Sequence, residues 1–137
     1  MQGLGKGRLK QGETVTLDDG EIIDGKAFLS PPKKGWVAAI FGDTKACLQA
    51  VRAAQNADVL VHEATFAAGD EETAERVFHS TISDAAKPAL QANVKQLYLT
   101  HISTRYTEEE QRLMLERQAQ TIFPASKVVG DFDVFDI

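Results

Sequence analysis

From residue 36 onward the sequence alternates short apolar runs with stretches whose apolar residues recur at helical spacing. That alternation restricts the chain to an α/β arrangement. Trp36 to Phe41, Val59 to Val61 and Leu97 to Leu99 read as buried strands. Between the first two, Ala46, Cys47, Ala50, Val51 and Ala54 predict an amphipathic helix over 44–55. Ile82, Ala85, Ala86, Ala89 and Leu90 predict another over 82–92. Pro88 falls inside it, where the missing N–H and the ring clash cost about 3 kcal/mol, so a kink or an early stop is expected. Thr107 followed by Glu110 has the form of a capping box, opening a helix to residue 119 with Leu115, Ala119 and Ile122 on one face. Val128-Val129 and Val134 to Ile137 read as two short strands around a turn.

Ahead of this core the pattern differs. The first ten residues are rich in glycine and basic side chains with no hydrophobic period, and they read as a loop or as a segment whose packing partner is absent. Thr14 to Leu17 and Glu21 to Ile23 flank Asp18-Asp19-Gly20, a hairpin signal. Pro31-Pro32 then breaks the chain. With no repeat, low-complexity stretch or linker, residues 1–137 read as a single domain, with a loop and hairpin region over 1–35 and an α/β core over 36–137.

No apolar run is long enough to span a bilayer and nothing near Met1 resembles a signal peptide. Cys47, the only cysteine, has no partner for an intramolecular disulfide, so a reducing cytoplasm is the expected home. The net charge of −5 speaks against a broadly basic nucleic-acid surface. Residues 1–35, however, carry six basic against five acidic side chains, and the remainder nine against fifteen. Lys6, Arg8, Lys10, Lys33 and Lys34 suit either a local basic strip or ordinary solvated lysines and arginine.

The chemically capable residues collect at strand ends. Asp43 follows the Trp36–Phe41 run past Gly42, His62 and Glu63 end the next strand, and His101 follows Leu97–Leu99 after Thr100. In parallel neighbouring strands all four emerge at the carboxyl edge, where open α/β sheets bind ligands. His79 lies in a strand-to-helix connection close enough to return to that edge. Each has a plainer use. Asp43 and Thr44 suit a helix cap, a strand-end histidine often serves only as a hydrogen-bonding group, Glu63 fits a surface carboxylate, and His79 fits a helix start.

As strings, these positions carry more. Phe41-Gly42-Asp43-Thr44, His62-Glu63-Ala64-Thr65, His79-Ser80-Thr81 and Thr100-His101-Ile102-Ser103-Thr104-Arg105-Tyr106 resemble, in order, four signatures of the ribonuclease Z family. The stretch Leu9 to Lys34, with Gly12-Glu13-Thr14-Val15 and Pro31-Pro32-Lys33-Lys34-Gly35, is similar to the one that precedes them there. The resemblance implies a zinc-dependent endoribonuclease that trims 3′-extended tRNA precursors. It implies Asp43 as a carboxylate bridging two zinc ions and His101 as a terminal ligand to one of them. Glu63 and His79 would form a relay protonating the leaving ribose oxygen, with the carboxylate keeping the imidazole oriented and protonated. His62 would be structural. Arg105 would contact a phosphate and Tyr106 would stack on a terminal base.

One departure is an absence. The family's upstream His-x-His-x-Asp-His cluster is not among the three histidines here. Two ligands do not hold two zinc ions tightly, so binding by this chain alone is expected to be weak or absent. The implied fold is likewise the C-terminal half of a metallo-β-lactamase-type αββα sandwich, a mixed sheet with helices on one face. Its other face would be apolar and favour association, as a homodimer or with another segment. The competing expectations are a non-catalytic dimerisation or binding module and a metallo-β-lactamase-fold phosphodiesterase with another substrate. No membrane role is expected.

Overall fold

The computed structural model describes residues 4–136. The chain divides into two compact units, Met1–Gly35 and Trp36–Ile137.

In the first unit, helix α1 (Leu4–Lys10) replaces the expected loop, because it packs on the segment that follows it rather than on an apolar stripe of its own. Strands β1 (Thr14–Thr16) and β2 (Ile22–Asp24) pair antiparallel, Val15 opposite Ile23, which is the expected hairpin. A 3₁₀ turn, Gly25–Phe28, follows, its first residues capped by the Asp24 carboxylate accepting from the Lys26 N–H at 3.0 Å. Gly25 is obligatory by crowding. A β-carbon there would lie 2.5 Å from the Glu13 carbonyl oxygen and 2.8 Å from that of Leu9. Lys6, Arg8, Lys10, Lys33 and Lys34 are exposed, with Arg8 paired to Glu13 at 2.7 Å.

The second unit is built on a four-stranded sheet in the order β3 (Ala38–Ile40), β4 (Val59–Glu63), β5 (Gln96–Thr100), β6 (Ser126–Val128), parallel throughout. The chain thus holds both pairing types, the antiparallel one in the hairpin. Register aligns Leu60 with Ala39 and Leu97, and His62 with Leu99. Leu60, Leu97, Leu99 and Val128 lie in one core with Ile82, Ala85, Ala86 and Ala89 of α4 (Ile82–Gln91) and with Leu115 and Ala119 of α5 (Glu109–Gln120). Helix α2 (Leu48–Ala53) packs beside α4, so the three helices form a row over the sheet. The intervening strand row, Ile40, Val61, Tyr98 and Lys127, faces away from that core. Phe135 stacks on Tyr98 at 4.5 Å and lies beneath the Lys127 ammonium, while Ile40 is exposed.

Several local expectations are corrected. Helix α2 starts at Leu48, not at 44. Helix α4 continues through Pro88 to Gln91, so the proline imposes no early stop. Helix α5 is capped by Glu108 with Gln111, not by Thr107 with Glu110. Among the described residues only β6 forms near the C-terminus. Val134 to Asp136 are not a strand, and Ile137 lies outside the described residues. Helix α3 (Glu71–Val77) stands in the connection that carries His79. Among the described residues no helix is long and apolar enough to cross a membrane.

Candidate metal centre

Parallel strands deliver their following residues to one edge, and Glu63, the last residue of β4, sits at the middle of it. The side chain is 1% exposed, yet it accepts five hydrogen bonds. Its Oε1 receives the Thr44 N–H at 3.2 Å, the Ser80 N–H at 3.1 Å and His79 Nδ1 at 2.9 Å. Its Oε2 receives the Thr65 N–H at 3.0 Å and the Thr65 hydroxyl at 2.9 Å. A carboxylate has about four lone-pair sites and no donor, so this one is saturated by protein alone. Burial without such partners would cost several kcal/mol.

Each member of the two short motifs has a task in this network. Ser80 donates its hydroxyl to the Thr44 carbonyl at 2.8 Å, fastening the loop after β3. Thr81 caps α4, accepting from the Asp84 N–H at 3.1 Å and donating to the Asp84 carboxylate at 2.9 Å. Ala64 donates its N–H to the Thr100 carbonyl at 2.9 Å, joining the ends of β4 and β5. Thr65 and Ser80 are the contributors that residue-by-residue reading passed over. Their signal was adjacency, each being a hydroxyl beside an ionisable group inside a motif already singled out.

His62 serves the core. It is wholly buried, its ring stands edge-on to Phe41 at 5.7 Å, and Nδ1 donates to the Glu63 carbonyl at 2.6 Å. Burial pushes its pKa below the ordinary value, against the opposing pull of that carbonyl. Its Nε2 finds no hydrogen-bond partner among the described residues.

Asp43, His79 and His101 converge. One potential ligand atom of each lies within 4.8 Å of the others. His101 Nε2 stands 3.7 Å from Asp43 Oδ1, and the His79 and His101 rings stack with centroids 5.3 Å apart. Both Asp43 and His101 are at least half exposed, open to an incoming ion or substrate. His101 has φ +57°, in the left-handed region that non-glycine residues adopt at a cost. Two imidazoles and a carboxylate form a donor set suited to zinc. Three donors make a partial ligand cluster, not a two-ion site.

Arg105 and Tyr106 stand differently. The exposed Arg105 guanidinium lies 5.7 Å over the Phe66 ring. Tyr106 is half-buried against the core, and its hydroxyl donates to Asp70 at 3.1 Å and accepts from the Ala67 N–H at 3.2 Å. Beyond His101 opens a groove of about 300 Å³, lined among others by Thr104, Tyr106, Arg112 and Gly130.

No family model matches the chain. Curated relatives do. It is 50% identical over 129 residues to a protein named ribonuclease Z from Geobacillus kaustophilus, covering 94% of this chain and 42% of the relative. It is 52% identical over 125 residues to one of the same name from Bacillus velezensis, covering 91% and 41%. A third, from Lactiplantibacillus plantarum, is 51% identical over 131 residues, covering 96% and 42%. The chain spans about two-fifths of the length of these relatives. Among solved structures it is similar to the metallo-β-lactamase fold protein YhfI from Bacillus subtilis, with TM-score 0.60 and 21% identity over 80% of this chain and 39% of that one. It is also similar to the human tRNase Z, short form, with TM-score 0.58 and 28% identity over 85% and 36%.

Proposed function

The chain is a homologue of ribonuclease Z built on part of the metallo-β-lactamase fold, and from that premise we propose that it carries the leaving-group half of an endoribonuclease site acting on 3′-extended tRNA precursors. The observation that carries this reading is the Glu63 network, which ties the Asp43 loop, His79 and Thr65 to one buried carboxylate. At the family level the chemistry is metal-dependent hydrolysis.

In this reading Asp43 and His101 hold zinc together with donors supplied from outside this chain, and the ions would supply water activation and charge neutralisation at phosphorus. Glu63 accepts from Nδ1 of His79, so the opposite nitrogen, Nε2, is the one offered to the departing ribose oxygen. With a second proton on Nε2 the ring is an imidazolium, and it passes that proton to the oxygen and is left as the neutral Nδ1–H form. In the same reading Arg105 contacts a phosphate, and Tyr106, which lines the groove beside His101, stacks on a terminal base. The missing donors come from an upstream segment or a second protomer seated on the sheet face that bears Ile40 and Val61, in a reducing cytoplasm.

The test is cleavage of a 3′-extended tRNA precursor with zinc, by this chain and by a longer protein in which it is joined to a His-x-His-x-Asp-His segment. Cleavage by the longer protein only is the expected result. Cleavage by neither would replace this reading with a non-catalytic binding module, which the three-donor cluster otherwise leaves as the second reading.

A further inference from the structure

We propose that Thr65 is a positioning residue that fixes the tautomer of His101, so that one carboxylate sets the orientation of both site histidines. The proposal rests on the metal-site reading only for its purpose, not for its geometry.

A threonine hydroxyl has one hydrogen and two lone pairs. The Thr65 hydroxyl oxygen lies 2.9 Å from Glu63 Oε2, 2.9 Å from His101 Nδ1 and 3.3 Å from His79 Nδ1. An ionised carboxylate only accepts, so the single hydroxyl hydrogen points at Glu63. Nδ1 of His101 must then be the donor in the contact with Thr65, and its hydrogen resides there. The Nε2 lone pair is left free, and Nε2 is the nitrogen 3.7 Å from Asp43. His79 is treated alike without an intermediary, its Nδ1 donating to Glu63 Oε1 at 2.9 Å. In their neutral form both rings therefore carry the hydrogen on the protein side and turn Nε2 outward, as their stacked, nearly parallel planes with an interplanar angle of 20° allow. Thr65 is only 9% exposed, so water does not compete freely for its hydroxyl. Outer-shell groups of this type commonly change metal affinity 10- to 100-fold when removed.

The experiment reads the imidazole nitrogens of this chain by ¹⁵N NMR without metal or RNA, at about pH 8, above the ordinary histidine range. The Nδ1–H form of His101 is expected in the unaltered chain and in Thr65→Ser, and its loss to a mixture or to Nε2–H is expected in Thr65→Val. An Nε2–H His101 in the unaltered chain overturns the proposal, as does a valine variant with an unchanged tautomer. Should the valine variant not fold, the unaltered chain and the serine variant still decide the matter. In the longer protein, affinity for zinc alone should fall about 10- to 100-fold in Thr65→Val and be retained in Thr65→Ser. Equal affinity in all three would also overturn it. Because the tautomer is read with no RNA present, its outcome is independent of the cleavage assay.

Discussion

Replacing Glu63 by glutamine keeps the volume of the side chain and exchanges one acceptor oxygen for a donor, in a place where five donors converge. Two orientations are open to the amide. With its oxygen toward Thr44, Ser80 and His79, three bonds survive in weaker, neutral form, but the NH₂ faces the Thr65 N–H and forces the Thr65 hydroxyl to turn. With the amide reversed, three donors face the NH₂ instead. The first orientation is the better one, and it leaves one buried N–H unsatisfied, at about 1–3 kcal/mol, besides weakening three charge-assisted bonds. The sum, roughly 3–5 kcal/mol, matches the usual cost of breaking a buried charged pair. Against a total stability of ~5–15 kcal/mol this is a large share. At about 3–6 °C per kcal/mol for a unit of this size, Tm should fall by roughly 10–30 °C in a circular-dichroism melt. Glu75→Gln is the control. That carboxylate pairs with Lys45 on the surface, and its loss should cost no more than about 0.5 kcal/mol. A Glu63→Gln variant that melts within a few degrees of the unaltered chain would refute the picture of a saturated buried carboxylate.

Other outcomes follow from the same structure. Asp43→Ala, at an exposed loop position, should leave the melting temperature almost unchanged while abolishing precursor cleavage in the longer zinc-loaded protein; retained cleavage there would exclude Asp43 as a ligand. His62 is neutral when folded because burial lowers its pKa, whereas the unfolded chain takes up its proton below about pH 6.5. Stability is therefore fully present above that pH and is lost as pH falls toward the folded-state value, by up to about 1.4 kcal/mol per pH unit. Urea unfolding at two pH values on either side of 6.5, compared with His62→Gln, checks this, since the variant should lose less on acidification. Leu60→Ala removes a fully buried side chain between sheet and helices and should cost about 2–5 kcal/mol, measured by equilibrium unfolding.

Apolar periodicity made the sheet and two of its covering helices legible, because Leu97 and Leu99, or Ile82, Ala85, Ala86 and Ala89, declare their buried side directly. Where a helix has no stripe, nothing declared it. Helix α3 buries only Ala74, and α1 combines glycine with basic residues. The late start of α2 has a more specific cause. The Thr44 N–H goes to Glu63 and its carbonyl to Ser80, so the backbone that helical spacing assigned to a first turn is held by the site instead. The four strand-end side chains were legible as chemistry from their positions. Their gathering at the carboxyl edge followed from parallel strands, except that His62 turns into the core. What holds them there was not legible, since it depends on a hydroxyl, Thr65, and on backbone N–H groups that carry no mark in the sequence.

The left-handed backbone at His101 sets two selective pressures against each other at one position. A residue with a β-carbon gives up about 1–2 kcal/mol in that conformation, which glycine does not, and asparagine tolerates it better than most. A screen that rewards heat resistance alone has little reason to keep histidine there. Only a demand for the imidazole does. Thermostabilised descendants of this sequence should therefore be checked first at position 101, where an innocuous-looking gain in robustness would remove the proposed ligand.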